Sequence, residues 1–129
     1  MAEFQIPVHG TICWRELRTR DLDAASGFYK KLFGWELKQS AVTTMPYSEI
    51  MASGHPVGGM MPMGDEWGEM PSHWASYVAV DDADAAVAKI TANGGTVHTP
   101  PFDAPGVGRL AMAADPSGAA FAIIQFESE

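Results

Sequence analysis

Apolar residues along the chain switch between a helical period and short, strand-length runs, and they do so twice. In the first half Leu22, Ala25, Phe28, Tyr29 and Leu32 recur at helical spacing and make one apolar stripe. Asp21 stands where its carboxylate can accept backbone N–H bonds from the first turn of that helix. Gly34 stands where a left-handed residue would end it. Strand-length runs flank the helix: residues 11–17 before it and residues 35–42, 47–52 and 57–63 after it, joined by turns rich in Pro, Gly and Ser. In the second half residues 73–80 read as a strand. Asp82 then opens a helix whose inner face carries Ala83, Ala86, Val87 and Ile90. Asn93-Gly94-Gly95 ends that helix, and residues 96–98, 109–114 and 119–126 supply three more strands.

The two halves are one unit written twice. A shift of 61 positions lays Asp21-Leu22-Asp23-Ala24-Ala25 on Asp82-Ala83-Asp84-Ala85-Ala86, Gly34 on Gly95, and Leu17 on Val78. The turn Gly54-His55-Pro56-Val57 falls on Asp115-Pro116-Ser117-Gly118. Identity is thin, but the punctuation stays in register over almost half the chain. The expected organisation is a single domain of two modules, residues 10–63 and 73–126, joined by a linker at 64–72 that contains Trp67. A second long loop is expected at 99–108, with three prolines and two glycines. Each loop reads as a lid or as a plain connection. One module covers a single face of a short sheet with its helix, so two modules, in one chain or two, would face a shared concavity.

Composition narrows the class. The chain has 129 residues, with 47% hydrophobic and 19% charged, and a mean hydropathy of -0.05. That is an ordinary globular composition. A net charge of -8 argues against nucleic acid, whose phosphates need the opposite sign, and against an anionic membrane surface. Cys13 is the one cysteine, so an internal disulfide and a cysteine-ligated zinc site are excluded. Residues 1–10 lack the pattern of a signal peptide, and no stretch approaches about 18 apolar residues. The expectation is a cytoplasmic protein.

The order of elements, with Arg18-Thr19-Arg20-Asp21-Leu22-Asp23-Ala24-Ala25, Phe28-Tyr29-Lys30-Lys31-Leu32-Phe33-Gly34-Trp35, Val80-Asp81-Asp82-Ala83 and the Asp115-Pro116-Ser117-Gly118 turn, resembles the vicinal oxygen chelate superfamily of glyoxalases, bleomycin-resistance proteins and extradiol dioxygenases. The resemblance implies an α+β fold: two tandem βαβββ modules forming a curved mixed sheet around a cavity. In metal-dependent members four strands each give one ligand (His, Gln, Glu or Tyr) to a divalent ion. The corresponding positions here are Trp14, Met61, Ala75 and Ala122. Indole offers only a donor N–H, alanine offers nothing, and a thioether suits soft metals. No metal is expected at those positions, no cofactor is expected, and no catalytic residue carries over.

With side chains alternating along each strand, the ligand pocket is expected to take Trp14, Glu16, Met61, Met63, His73 and Tyr77, a mostly apolar wall suited to an organic molecule. Every member also has a plainer role. Trp14 reads as a core or interface aromatic or as a stacking surface. Glu16 pairs with Arg18 or Arg109, or serves as a general base. His73 is locally bonded or a ligand contact. Tyr77 packs its ring, and the methionines fill an adaptable core. His9, His55 and His98 share no spacing that unites them, and Cys13 is expected to face the helix.

The leading expectation is a metal-free binding protein for a small apolar or aromatic ligand, working as a homodimer. The competing readings are a glyoxalase-like lyase or isomerase, or a dioxygenase, either independent of metal or with displaced ligands such as His73 and Glu16. An interaction module whose cavity is filled by its own side chains is a further class.

Overall fold

The structure, a computed structural model, describes residues 6–39 and 47–127. Eight strands and two α-helices form, in the order strand, helix, three strands, twice over. The expected α+β class with two βαβββ modules is therefore what the chain adopts. By contact the chain gathers into two compact units, residues 14–75 and residues 1–13 with 76–129. The division falls inside the first strand of each module.

In the 14–75 unit, β1 (Ile12–Thr19) leads to α1 (Leu22–Phe33), then β2 (Glu36–Gln39), β3 (Ser48–Ala52) and β4 (His55–Pro62). The strand order is β2-β3-β4-β1. β1 and β4 are parallel, with Leu17 opposite Met60 and Arg18 opposite Met61, while β3 is antiparallel to both of its neighbours. Asp21 caps α1 as expected, its carboxylate accepting from the Ala24 N–H at 3.0 Å. Gly34 ends the helix at φ 72, its N–H donated to the Lys30 carbonyl. Ser53 and Gly54, both at positive φ, make the two-residue hairpin whose twist matches the strands, so β4 starts at His55 rather than at 57. The core of this unit is Leu17, Ile50 and Met60, with Leu22, Ala25, Tyr29, Trp35, Leu37 and Val57 packed against it.

Only part of the predicted α1 stripe is core. Phe28 is 59% exposed and Leu32 56%, because the sheet is met by the face through Leu22, Ala25 and Tyr29, and the other two project from its flank. There Phe28 joins an aromatic cluster. Tyr29 stacks on Trp35 at 5.3 Å between centroids and meets Trp74 edge-on at 5.6 Å, and Phe28 meets Tyr29 edge-on at 5.0 Å. The later part of the predicted strand 35–42 lies outside the described residues.

The other unit repeats the plan with β5 (His73–Ala79, its first residues in the 14–75 unit), α2 (Ala83–Ala92), β6 (Thr96–Ala104), β7 (Gly108–Ala114) and β8 (Ala120–Phe126). The strand order is β5-β8-β7-β6, with β5 and β8 parallel. Asp82 caps α2 through the Ala85 N–H, and Ala83, Ala111 and Ile123 form its core with Val80, Ala86, Val87, Ile90 and Phe121 around them. The expected loop at 99–108 is mostly strand: β6 continues through Pro100 and Pro101 to Ala104. Its ladder with β7 shifts register between Val97 and Thr99 and between Thr99 and Phe102. Pro lacks the ladder N–H and is tolerated where pairing is irregular, which is how the two prolines fit inside a strand.

The turn between β7 and β8 is held by Asp115. Its carboxylate accepts from the Ser117 hydroxyl at 2.6 Å, the Ser117 N–H at 2.8 Å and the Ala119 N–H at 3.1 Å. These bonds, the Ser117 hydroxyl's first, hold the carboxyl below its ordinary range. A depressed folded-state pKa contributes stability above the unfolded value, and that contribution is lost as pH falls through the folded value. Ser117→Ala is expected to raise the Asp115 pKa in a carboxyl NMR titration and to lower stability near neutral pH. The difference from wild type should close at acid pH.

Candidate functional site

The residues singled out in the sequence separate by unit. Trp14, Glu16, Met61, Met63 and His73 belong to the 14–75 unit, whereas Tyr77 belongs to the other. Tyr77 is buried in β5, in register with Ala122 of β8, and its carbonyl accepts from the Cys13 thiol at 3.6 Å.

Within the 14–75 unit, strand alternation sorts the side chains into two faces. Leu17 and Met60 are opposite one another and turn toward α1. Glu16 lies opposite Gly59, and Arg18 opposite Met61, on the other face. Trp14 and Met63 have the same parity, and Glu49 joins them from β3 opposite Gly59. Both charged residues of β1 on this face are buried, Glu16 at 3% exposed and Arg18 at 4%. Two residues apart on one strand, they meet directly, Arg18 Nε donating to Glu16 Oε2 at 2.7 Å. Of the two partners the sequence offers Glu16, the structure selects Arg18. Arg109 instead bonds Asp84 and Asp103 in the other unit.

Trp14 and Met61 are half-buried. The indole Nε1 donates to the Tyr47 hydroxyl at 2.9 Å, so its polar edge is satisfied within the protein. Tyr47 lies over Gly59, and a Cβ built there would collide with the phenol oxygen. Gly in a strand interior is the mark of such a close approach. That was the one sequence signal for Tyr47, which the residue-by-residue reading missed.

The segment 64–72, expected as a linker, packs against the buried pair. It contains a short 3-10 turn (Asp65–Trp67) that sets Trp67 over the Arg18 guanidinium, 5.1 Å from carbon to ring centroid, a cation–π contact. Arg20 holds the linker by its backbone, donating to the carbonyls of Gly64 at 3.0 Å, Gly68 at 2.5 Å and Met70 at 2.7 Å. The Arg20 N–H also donates to Ser72 Oγ at 2.9 Å. The His73 ring also meets Trp67 edge-on, at 6.3 Å. Nδ1 of His73 lies 2.8 Å from the Pro71 carbonyl. Nε2 is buried and has no hydrogen-bond partner among the described residues. Glu16, Arg18, Trp67 and His73 thus form one contiguous row.

The positions that hold metal in the resembled family do not fit an ion here. Trp14 has spent its only polar hydrogen on Tyr47, Met61 offers a thioether, and Ala75 and Ala122 are buried methyl groups at 2% and 0% exposed. Among the described residues no three His, Cys, Asp or Glu side chains gather as a ligand set. No helix there is long and apolar enough to cross a membrane.

Comparison with known proteins gives the family and the fold. CFP32 of Mycobacterium tuberculosis is 40% identical over 119 residues, covering 90% of this chain and 44% of that protein. The anthracycline biosynthesis protein DnrV of Streptomyces peucetius is 35% identical over 131 residues, covering 88% of this chain and 46% of that protein. The chain therefore spans less than half the length of these curated relatives. Among solved structures, the methylmalonyl-CoA epimerase of Mycobacterium tuberculosis superposes with a TM-score of 0.60 at 14% identity, covering 99% of this chain and 94% of that one, a likeness of fold. The model of the Glyoxalase/Bleomycin resistance protein/Dioxygenase superfamily matches residues 11–123, and the chain belongs to that superfamily.

Proposed function

We propose that this chain is a small-molecule binding protein of the glyoxalase and bleomycin-resistance type. It holds an apolar or aromatic organic ligand against the face of Trp14, Glu16, Met61, Met63 and His73, without a metal at the family's ligand positions. The observation that carries the reading is the buried Glu16–Arg18 pair at 2.7 Å. It sets the Glu16 carboxylate against a guanidinium. Beside that pair the face offers an indole plane, two thioethers and one ring nitrogen, with Glu49 on β3 opposite Gly59. Flat apolar surface with a few fixed polar groups suits an organic molecule, and thioethers adapt to its outline.

A catalytic reading would use Glu16 as base. Its Oε2 already accepts from Arg18, and this favours binding over proton abstraction. The superfamily includes enzymes, and Glu16→Gln separates the two: an enzyme loses turnover while retaining its ligand.

Trp14→Ala is expected to weaken binding of a planar aromatic by about two- to tenfold, the scale of one stacking contact, with far-UV circular dichroism unchanged. Gly59→Ala displaces Tyr47 and breaks its bond to Trp14, so the affinity read by titration calorimetry should fall in the same direction. Unaltered affinity in both variants would remove Trp14 from the site.

The same reading has the protein act as a homodimer. Phe28, Leu32, Phe33 and Trp74 are each more than 40% exposed on the α1 flank. Together they present roughly 400 Å² of mostly apolar surface, which a second copy of the chain would cover. Sedimentation equilibrium is expected to give twice the chain mass of 13.8 kDa, and Phe28→Glu with Leu32→Glu is expected to return it to the single-chain value.

A further inference from the structure

We propose that His73 is the hydrogen-bond acceptor for the ligand, and that the ligand is an aromatic with a hydrogen-bond donor at its edge, a phenol in the simplest case. The inference rests on the binding reading above and names the chemical class that the site selects. The Pro71 carbonyl can only accept a hydrogen bond, so at 2.8 Å it requires the hydrogen of the imidazole to sit on Nδ1. In the neutral ring that leaves Nε2 as a bare lone pair, an acceptor and not a donor. Nε2 is buried and finds no donor among the described residues. Buried polar atoms without partners are rare in folded proteins because they have given up water for nothing.

The surroundings select what can supply that donor. Trp67 stands edge-on to the His73 ring and lies over Arg18, while Arg18 is directed to Glu16 at 2.7 Å. The row carries a flat aromatic wall beside a single acceptor. A ligand that fits both is planar and apolar and bears one O–H or N–H at its edge. An aromatic ether or plain hydrocarbon of the same outline would leave the nitrogen unsatisfied. Trp67 belongs to the linker that Arg20 holds by three carbonyls, so the ring beside His73 is set by backbone contacts. The clamp is made of hydrogen bonds at an exposed arginine, which water can replace.

The test titrates the protein with 2-naphthol and with 2-methoxynaphthalene, two probes of like shape of which only the first is a donor. Wild type should prefer 2-naphthol by about tenfold or more, since a site built around a hydrogen bond rejects the analogue that lacks it. His73→Phe should abolish the preference by weakening 2-naphthol alone. In wild type, the Nε2 resonance in a nitrogen-15 spectrum should show a non-protonated imidazole nitrogen that shifts on adding 2-naphthol and not on adding the ether. This reading needs no variant to fold. Equal affinity for the two probes, or a preference that survives His73→Phe, overturns the role of His73 and leaves the binding reading standing. Failure of both probes to bind overturns the binding reading as well.

Discussion

A glutamate and an arginine two residues apart on one strand, both buried, set the character of the site. Removing two charges from water costs several kcal/mol per ion, and only close, well-directed pairing offsets it. Glu16 and Arg18 meet that demand at 2.7 Å. The period of two along β1 puts them on one face, and the linker sets the ring of Trp67 over Arg18. Removing either partner alone would leave the other charge buried and unpaired, at a cost of about 3–5 kcal/mol. The pairing therefore constrains the strand, the linker that caps it, and the chemistry open to a ligand.

Much of this was legible in the residues. The helix starts at Asp21 and Asp82 and the stop at Gly34 were readable because capping is local chemistry: a carboxylate three residues before a free N–H, and a residue with no Cβ at positive φ. The doubled module was readable because those signals recur at one spacing. The alternation that put Glu16 beside Arg18 was also available, and it narrowed the partners of Glu16 to two arginines. The family resemblance pointed to the fold and to the loss of metal-binding side chains together.

Other features depend on partners distant in sequence. Nothing local to Tyr47 says that its phenol will lie over Gly59 and accept from Trp14. The glycine within β4 was the sole hint. Trp67 stood out in the linker, but its seat on Arg18 is decided by Arg20, which reads backbone carbonyls and so leaves no side-chain pattern. Pro100 and Pro101 suggested a loop where a strand with shifted register forms, because register irregularity absorbs what proline cannot donate. Phe28 and Leu32 had the spacing of core residues, yet the sheet beneath α1 receives Leu22, Ala25 and Tyr29. Periodicity marks which side chains share a stripe, and the width of the covering sheet decides how much of that stripe is buried.

The superfamily fold presents coordinating atoms in some members, and here the same strands carry an indole, a thioether and two methyl groups. The most direct measurement is native mass spectrometry of the protein purified under gentle conditions, which reads metal and retained organic ligand in one spectrum. The predicted spectrum shows the chain free of stoichiometric divalent metal and able to carry an added organic mass of a few hundred daltons or less. One equivalent of zinc, nickel, manganese or iron per chain, lost on substituting Glu16 or His73, would contradict it.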